Sequence, residues 1–182
     1  GCLDALARSQ GVELEIVCVD NASSDNSHEA AKEHPATTRA VYSDQNLGCA
    51  GGNNLGWRES TAGIVVFINP DCRVLPDTLA KLVQPLVEDP EVAVCGARLL
   101  YPNSHIVQHA GGILHPNAMS EHIGTGEEDG PKFDGRREVD FVTGALIAFR
   151  REDLERLNGF DEEIFPAYYE ETDLIYRLRR EG

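Results

Sequence analysis

Short apolar runs alternate with helical patterning through the first hundred residues, and this alternation limits the fold more than any other feature of the chain. The apolar runs lie at 14–20, 39–44, 63–69 and 91–100. Between them helices are predicted at 26–34, 50–60 and 75–90. Asn26 and Glu29 are spaced as a capping pair for the first, and Pro85 should kink or end the last. Because apolar strands alternating with helices are typical of buried parallel sheets, we predict an α/β fold with a mostly parallel central sheet and helices on both faces.

The second half of the chain is less regular. Residues 101–138 show no clear period and contain four histidines. A segment of this length without periodicity is usually functional or disordered. A strand is predicted over 139–151, then a short helix closed by Gly159 and a last helix from Tyr168 to the end. The length of 182 residues suits one domain.

Charge and cysteine content narrow the classes of partner. The net charge of −15 disfavours nucleic acid and anionic membrane surfaces. An anionic small ligand would need a cation or helix-end amides to offset the repulsion. The five cysteines include no CxxC pair, so neither a zinc site nor a dense disulfide framework is indicated, and a reducing compartment is expected. The sequence shows no secretory signal, and its apolar runs are too short to cross a bilayer.

Acidic and amide side chains follow the predicted strands. Asp20 ends the first strand, and Asn69-Pro70-Asp71 ends the third. In open α/β sheets, ligands bind beyond the carboxyl ends of the strands. The oxygens of Asn69 and Asp71 could seat Mg²⁺ or Mn²⁺. All three residues also form turns, and from spacing alone the turn is the favoured interpretation.

Two loops and the last helix hold the other candidate residues. Residues 20–27 gather small polar groups that can cap a helix or hydrogen-bond a base or ribose. Residues 46–57 are rich in glycine but match neither a dinucleotide fingerprint nor a P-loop, so tight helix packing is the alternative. Glu170, Glu171 and Asp173 open the last helix, where acids also stabilise the helix dipole and where Asp173 and Arg177 are spaced as an ion pair. A carboxylate near the rings of Tyr168 and Tyr169 can have the raised basicity of a general base.

Five segments, in order, resemble the inverting family 2 glycosyltransferases of the GT-A fold. They are VCVDNASSDNS (17–27), NLGCAGGNNLGW (46–57), VVFINPDCRVLPDTL (65–79), VTGALIAFRR (142–151) and GFDEEIFPAYYEETDLIYRLRREG (159–182). The Asn-Pro-Asp variant of the metal position is similar to the rhamnosyltransferase-like branch. The resemblance covers nearly the whole chain and replaces the turn-only interpretation of residues 69–71 with a metal site.

The resemblance implies a role for each matched position. Asp20 and Asn21 would hold the base and ribose, and the Gly51-Gly52-Asn53-Asn54 turn would line the nucleotide-sugar site. Asp71 with Asn69 would hold Mg²⁺ or Mn²⁺ on the diphosphate. Glu171 stands where the family has an aspartate as catalytic base, and because the pair here is Glu170-Glu171, either glutamate is a candidate. The implied donor-binding set is Asp20, Asn21, Ser23, Asn46, Gly48, Gly52, Asn53, Asn69 and Asp71. The implied acceptor-side set is Thr143, Gly144, Asp173 and Arg177.

The implied activity is metal-assisted, inverting transfer of a sugar from a nucleotide-diphosphate donor of the dTDP-rhamnose or UDP-hexose type. The acceptor would be a hydroxyl of a glycan or of a lipid-linked acceptor. Residues 1–100 would form the nucleotide-binding half and 101–182 the acceptor-side half. By analogy, action in the cytoplasm is expected, at the inner face of the plasma membrane with the parent protein peripherally associated.

The resemblance also implies missing parts. The family has a central strand and a nucleotide-contacting turn ahead of the helix that starts here near Cys2, and a segment beyond Gly182, so the chain is interpreted as a fragment truncated at both ends. That loss and the glutamate at 171 favour the main alternative, a non-catalytic GT-A-like module for binding or assembly. The joint presence of Asp20, Asp71, Glu170 and Asp173 favours the enzyme. A nicotinamide-dependent dehydrogenase is disfavoured because the dinucleotide fingerprint is absent.

Overall fold

The computed structural model describes residues 1–117 and 119–181. The helices are α1 (Cys2–Leu6), α2 (Ser27–Glu33), α3 (Gly48–Arg58), α4 (Thr78–Glu88), α5 (Arg151–Leu157) and α6 (Glu170–Glu181). The strands are β1 (Val17–Asn21), β2 (Arg39–Ser43), β3 (Ile64–Ile68), β4 (Val94–Gly96), β5 (Leu99–Leu100), β6 (Val107–His109), β7 (Gly112–Leu114), β8 (Ser120–His122) and β9 (Leu146–Arg150). A short 3₁₀ turn lies at Pro131–Phe133.

Four of the five main strands run in the same direction. β1 pairs with β2 in parallel, and β9 lies between β3 and β4, antiparallel to both, so β3 and β4 are parallel to each other. The Glu15 carboxylate accepts hydrogen bonds from the backbone N–H groups of Thr61 at 2.7 Å and Ala62 at 3.2 Å. The segments that lead into β1 and β3 therefore lie side by side. The carboxyl ends of both strands lie at the same edge of the sheet, which we call the rim. The predicted mostly parallel α/β arrangement is confirmed.

Helices cover both faces of the β4–β9–β3 sheet because alternate residues of its strands point to opposite sides. On one face, the side chains of β3 and β9 pack with those of α3, α5 and α6; this cluster includes Phe67, Phe149, Trp57, Leu154 and Leu174. On the other face, Leu146 and Ala148 of β9 pack with α1 and α4 through Leu6, Leu79 and Leu82. Phe149, Ile147 and Leu154 are completely buried. The predicted covering of both faces is confirmed.

Some local expectations were wrong. The side chain of Asn26 makes no capping hydrogen bond to α2; instead the Asp25 carboxylate accepts one from the Ser27 N–H at 2.9 Å. Of the two effects expected of Pro85, an end to the helix is wrong, because α4 continues to Glu88. The segment 101–138, where the sequence shows no period, forms three of the short strands, β6 to β8. Their pairings are antiparallel and only two or three residues long, too short to produce a detectable alternation.

A groove of about 300 Å³ separates β1 from β3. Its walls include Val17 and Val19 on one side and Val65 and Phe67 on the other. Within the described residues, β1 has β2 as its only strand partner and β3 has only β9. The family strand expected ahead of Cys2 stays a prediction.

Candidate active site

The predicted site residues at the end of β1, after β3 and before β9 lie at one rim of the sheet. Asp20 and Asn21 stand at the end of β1, and Asn69 to Asp71 follow β3 directly. β9 runs in the opposite direction, so the residues that precede it reach the same rim: Ile68 pairs with Leu146, and the Asn69 N–H donates to the Ala145 carbonyl at 3.0 Å. Five predicted donor-binding residues line the groove described above: Asn21, Gly48, Gly52, Asn53 and Asn69.

The Asn21 side chain fixes the turn that leads into α3. Its amide nitrogen donates to Asn46 Oδ1 at 3.1 Å and to the Gly48 carbonyl at 2.9 Å, and its oxygen accepts from the Leu47 N–H at 2.8 Å. Gly52 faces the same amide, and a Cβ there would lie 3.3 Å from Asn21 Nδ2. Three hydrogen bonds of the Asn21 side chain therefore hold the turn before α3 at the rim.

Asp20 and Ser23 are linked within the loop after β1. Asp20 is buried, and its Oδ1 accepts the Ser23 N–H at 2.9 Å, while the Ser23 side chain is exposed. One carboxylate oxygen thus orders the loop. Asn53 makes one long contact, from Nδ2 to the Cys49 sulfur at 3.7 Å.

Asn69 and Asp71 suit a cation that shares its coordination with a ligand. Both side chains are exposed, and Asp71 takes part in none of the ion pairs found among the described residues. Among all the residues that the structure describes, no group of three or more His, Cys, Asp or Glu side chains is placed so that it could hold a metal. Mg²⁺-type ions are commonly held by one or two carboxylates together with substrate phosphates and water. The donor set therefore fits a diphosphate-bound cation and not a metal cage made by the protein alone.

The two glutamates at the start of α6 have different surroundings. Glu170 is 5% exposed, its Oε2 has no hydrogen-bond partner among the described residues, and its carboxyl interacts with the Cys49 thiol. Burial, and then this contact, raises the pKa of Cys49 to about 12, so the thiol stays neutral. Glu171 instead lies against Gly144: a Cβ built on that glycine would be 3.8 Å from the Cβ of Glu171.

Burial raises the pKa of Glu171, and the charge of Glu170 raises it further. Backbone N–H groups, including that of Gly144, act in the opposite direction. A carboxylate of raised pKa is a stronger base than an exposed one. Of the two candidates, Glu171 combines raised basicity with a position at the rim.

Asp173 and Arg177 form the predicted ion pair, with Nε donating to Oδ2 at 2.7 Å. The other guanidinium nitrogens of Arg177 donate to the carbonyls of Leu157 at 3.0 Å and Gly159 at 2.8 Å. These bonds attach α6 to the end of α5. A wide depression of about 700 Å³ beside them is lined by Arg177 and by Asn54, which is 1% exposed and lies away from the groove that two other residues of its predicted turn line. The geometry favours a structural role for this pair over contact with an acceptor.

The sequence analysis did not single out His109, which is 1% exposed and contacts the predicted acceptor-side turn. Its Nε2 accepts the backbone N–H of Thr143 at 3.2 Å, one residue from Gly144. The only available signal was the number of histidines in 101–138. A single histidine in a region without periodicity does not indicate burial.

The family model described as "Glycosyl transferase family 2" matches residues 1–157. The chain belongs to glycosyltransferase family 2. This family 2 chain is 29% identical, over 97% of its length, to the O-antigen biosynthesis protein RfbC of Myxococcus xanthus. It is 26% identical, over 93% of its length, to the N-acetylglucosaminyl-diphospho-decaprenol L-rhamnosyltransferase of Mycobacterium tuberculosis. It superimposes with a TM-score of 0.64 and 25% identity on a mannosyltransferase from Pyrobaculum calidifontis in complex with GDP-Man and Mn²⁺, over 94% of its own length.

The family 2 chain spans only part of each of these proteins. It covers 14% of the Myxococcus protein, 62% of the Mycobacterium protein and 45% of the Pyrobaculum chain. Among the described residues, no helix of the family 2 chain has both the length and the apolar character needed to cross a bilayer.

Proposed function

We propose that this chain is the catalytic domain of an inverting glycosyltransferase that uses a nucleotide-diphosphate sugar. The observation that carries the proposal is the convergence of Asp71, the turn built on Asn21, and Glu171 at one rim of the sheet. The support from relatives is the family match and the similarity to a mannosyltransferase in complex with GDP-Man and Mn²⁺.

The donor would lie across the ends of β1 and β3. Asp20 and the Asn21-ordered turn would contact the base and ribose, with Gly48, Gly52 and Asn53 beside the sugar. Asp71, assisted by Asn69, would hold Mg²⁺ or Mn²⁺, which when bound neutralises the diphosphate and stabilises it as a leaving group. A cation is needed here because a chain with a net charge of −15 repels the anionic diphosphate.

Glu171 would act as the general base. Its carboxylate would take the proton of the acceptor hydroxyl while that oxygen attacks the anomeric carbon and the bond to the diphosphate oxygen breaks. A single displacement of this kind inverts the anomeric centre and requires no covalent sugar–enzyme adduct. Glu170 would act on Glu171 through its charge, since it is buried against Cys49.

The donor and acceptor classes are proposed from the relatives. The names of two relatives refer to O-antigen biosynthesis and to rhamnosyl transfer onto a diphospho-decaprenol acceptor, which supports a glycan or lipid-linked acceptor and a rhamnosyl donor. The donor we propose is of the dTDP-rhamnose or UDP-hexose type. Action at the inner face of the plasma membrane stays a prediction.

Calorimetric titration with UDP, GDP and dTDP, with and without Mn²⁺, tests the proposal. We expect binding of at least one nucleotide diphosphate that requires Mn²⁺ and is lost in Asp71→Ala. Asp77→Ala is the matched control, because Asp77 is an exposed aspartate six residues further along that forms an ion pair with Lys81 and is not among the predicted site residues. A well-folded chain that binds none of the three nucleotides would contradict the proposal and favour a non-catalytic module.

A further inference from the structure

We propose that His109 is a positioning residue that holds the Thr143–Gly144 turn against the Glu171 carboxyl. The inference rests on the proposed function only in naming Glu171 as the base. It assigns a role to the irregular segment 101–138, which supplies no other contact of this kind to the turn in the described residues.

The hydrogen bonds define the protonation of His109. A backbone N–H can only donate, so the 3.2 Å contact from Thr143 N requires an unprotonated Nε2 on His109. The proton of the neutral ring is therefore on Nδ1, which lies 2.8 Å from Nδ1 of His122 and donates to it. Burial, and then the neighbouring His122, lowers the pKa of His109 to about 4, which agrees with a neutral ring.

The ring is fixed from several sides. His109 lies at the end of β6 with its ring centroid 4.9 Å from that of His122 and 5.9 Å from that of Phe141. Phe141 is buried and pairs through its backbone with Gly112. A buried side chain with both ring nitrogens in hydrogen bonds has one orientation. The position of the Thr143 backbone N–H, which donates to this ring, is therefore fixed as well.

Gly144 links the position of the Thr143 N–H to Glu171, the proposed base. Gly144 follows Thr143 directly and packs against Glu171, since a Cβ built on the glycine would lie 3.8 Å from the Glu171 Cβ, and the Gly144 N–H lowers the pKa of Glu171. The other titratable groups that bear on Glu171 are Glu170, whose charge raises its pKa, and the Cys49 thiol, which stays neutral. If the turn is released, the contribution of the Gly144 N–H weakens and the pKa of Glu171 rises further.

Carbon-13 NMR of the glutamate carboxyls measures this without donor or acceptor, with Glu171→Gln identifying the Glu171 signal. We expect His109→Leu to move the titration midpoint of Glu171 upward. His109→Gln, whose amide oxygen can accept the Thr143 N–H, should restore the midpoint. His115→Leu is the control, because His115 is exposed and paired with Glu121.

A second variant covers the case in which His109→Leu fails to fold. His122 is exposed, so His122→Leu should fold, and it removes the nitrogen that accepts the hydrogen bond from His109 Nδ1. We expect a smaller upward shift of the same sign. If the midpoint of Glu171 stays at its wild-type value in the folded variants, or if His109→Gln shifts it as far as His109→Leu does, the inference is wrong. Absence of nucleotide binding would count against the proposed function alone, because this titration uses no nucleotide.

Discussion

At the scale of single residues, the site is distinguished by a partly buried carboxylate whose surroundings disfavour its charge. The folded-state pKa of Glu171 lies above the ordinary value of 4.5 because of burial and the neighbouring Glu170. The folded chain therefore binds the proton more tightly than the unfolded chain does. Between the two pKa values stability falls as the pH rises, and above the higher one an ionised Glu171 destabilises the fold.

Glu171→Gln should accordingly stabilise the chain at neutral pH. The gain should be largely lost by about pH 4, where most of the carboxyl is protonated in both states. Urea unfolding at pH 7 and pH 4 measures the difference, with Glu13→Gln, an exposed glutamate, as the control. Equal stabilisation at the two pH values would show that the gain does not come from the charge of Glu171.

At the scale of elements, α3 joins the two halves of the chain through one buried amide. Asn54, 1% exposed, donates to the Phe160 carbonyl at 2.8 Å and to Glu162 Oε1 at 2.8 Å. Its oxygen accepts from Trp57 Nε1 at 3.0 Å and from the Phe160 N–H at 2.9 Å. All four hydrogen-bonding positions of the amide are thus used, and they attach α3 to the loop between α5 and α6.

Asn54→Ala should therefore destabilise the fold by about 3 kcal/mol, since it leaves buried donors of Trp57 and Phe160 without partners. Asn53→Ala, the same substitution one residue earlier, should change the free energy of unfolding by less than about 1 kcal/mol, because Asn53 makes only one long contact. Denaturant unfolding of the two variants measures both. Similar losses in the two would show that the buried network does not stabilise the fold.

The elements also show what sequence patterns can predict. Strands such as β3 and helices such as α6 follow from local apolar periodicity, so they were predicted within a few residues. The insertion of β9 between β3 and β4 depends on pairing with β3 residues about eighty positions away and β4 residues about fifty positions away, and no local pattern encodes that order. The positions of Asp20 and Asp71 at the rim could be predicted because both residues lie at the ends of predicted strands. The contact of His109 with Thr143 was missed because 34 positions of mostly irregular chain separate the two residues.

At the scale of the whole molecule, the account depends on strand direction. β1, β3 and β9 bring Asn21, Asp71 and the Thr143–Gly144 turn to one rim, and α6 places Glu171 beside that turn. The groove between β1 and β3 opens near the same residues, with Asn21 and Asn69 in its lining.

The most direct test of the account compares Glu171→Gln with Glu170→Gln in nucleotide binding and in sugar transfer to a panel of glycan and lipid-linked acceptors. For Glu171→Gln, the account predicts an unchanged Kd for the Mn²⁺-dependent nucleotide and a transfer rate lower by roughly 100-fold or more, because loss of a general base has an effect of that order. The loss should be smaller in Glu170→Gln. A Glu171→Gln variant that transfers sugar at the wild-type rate would contradict the account.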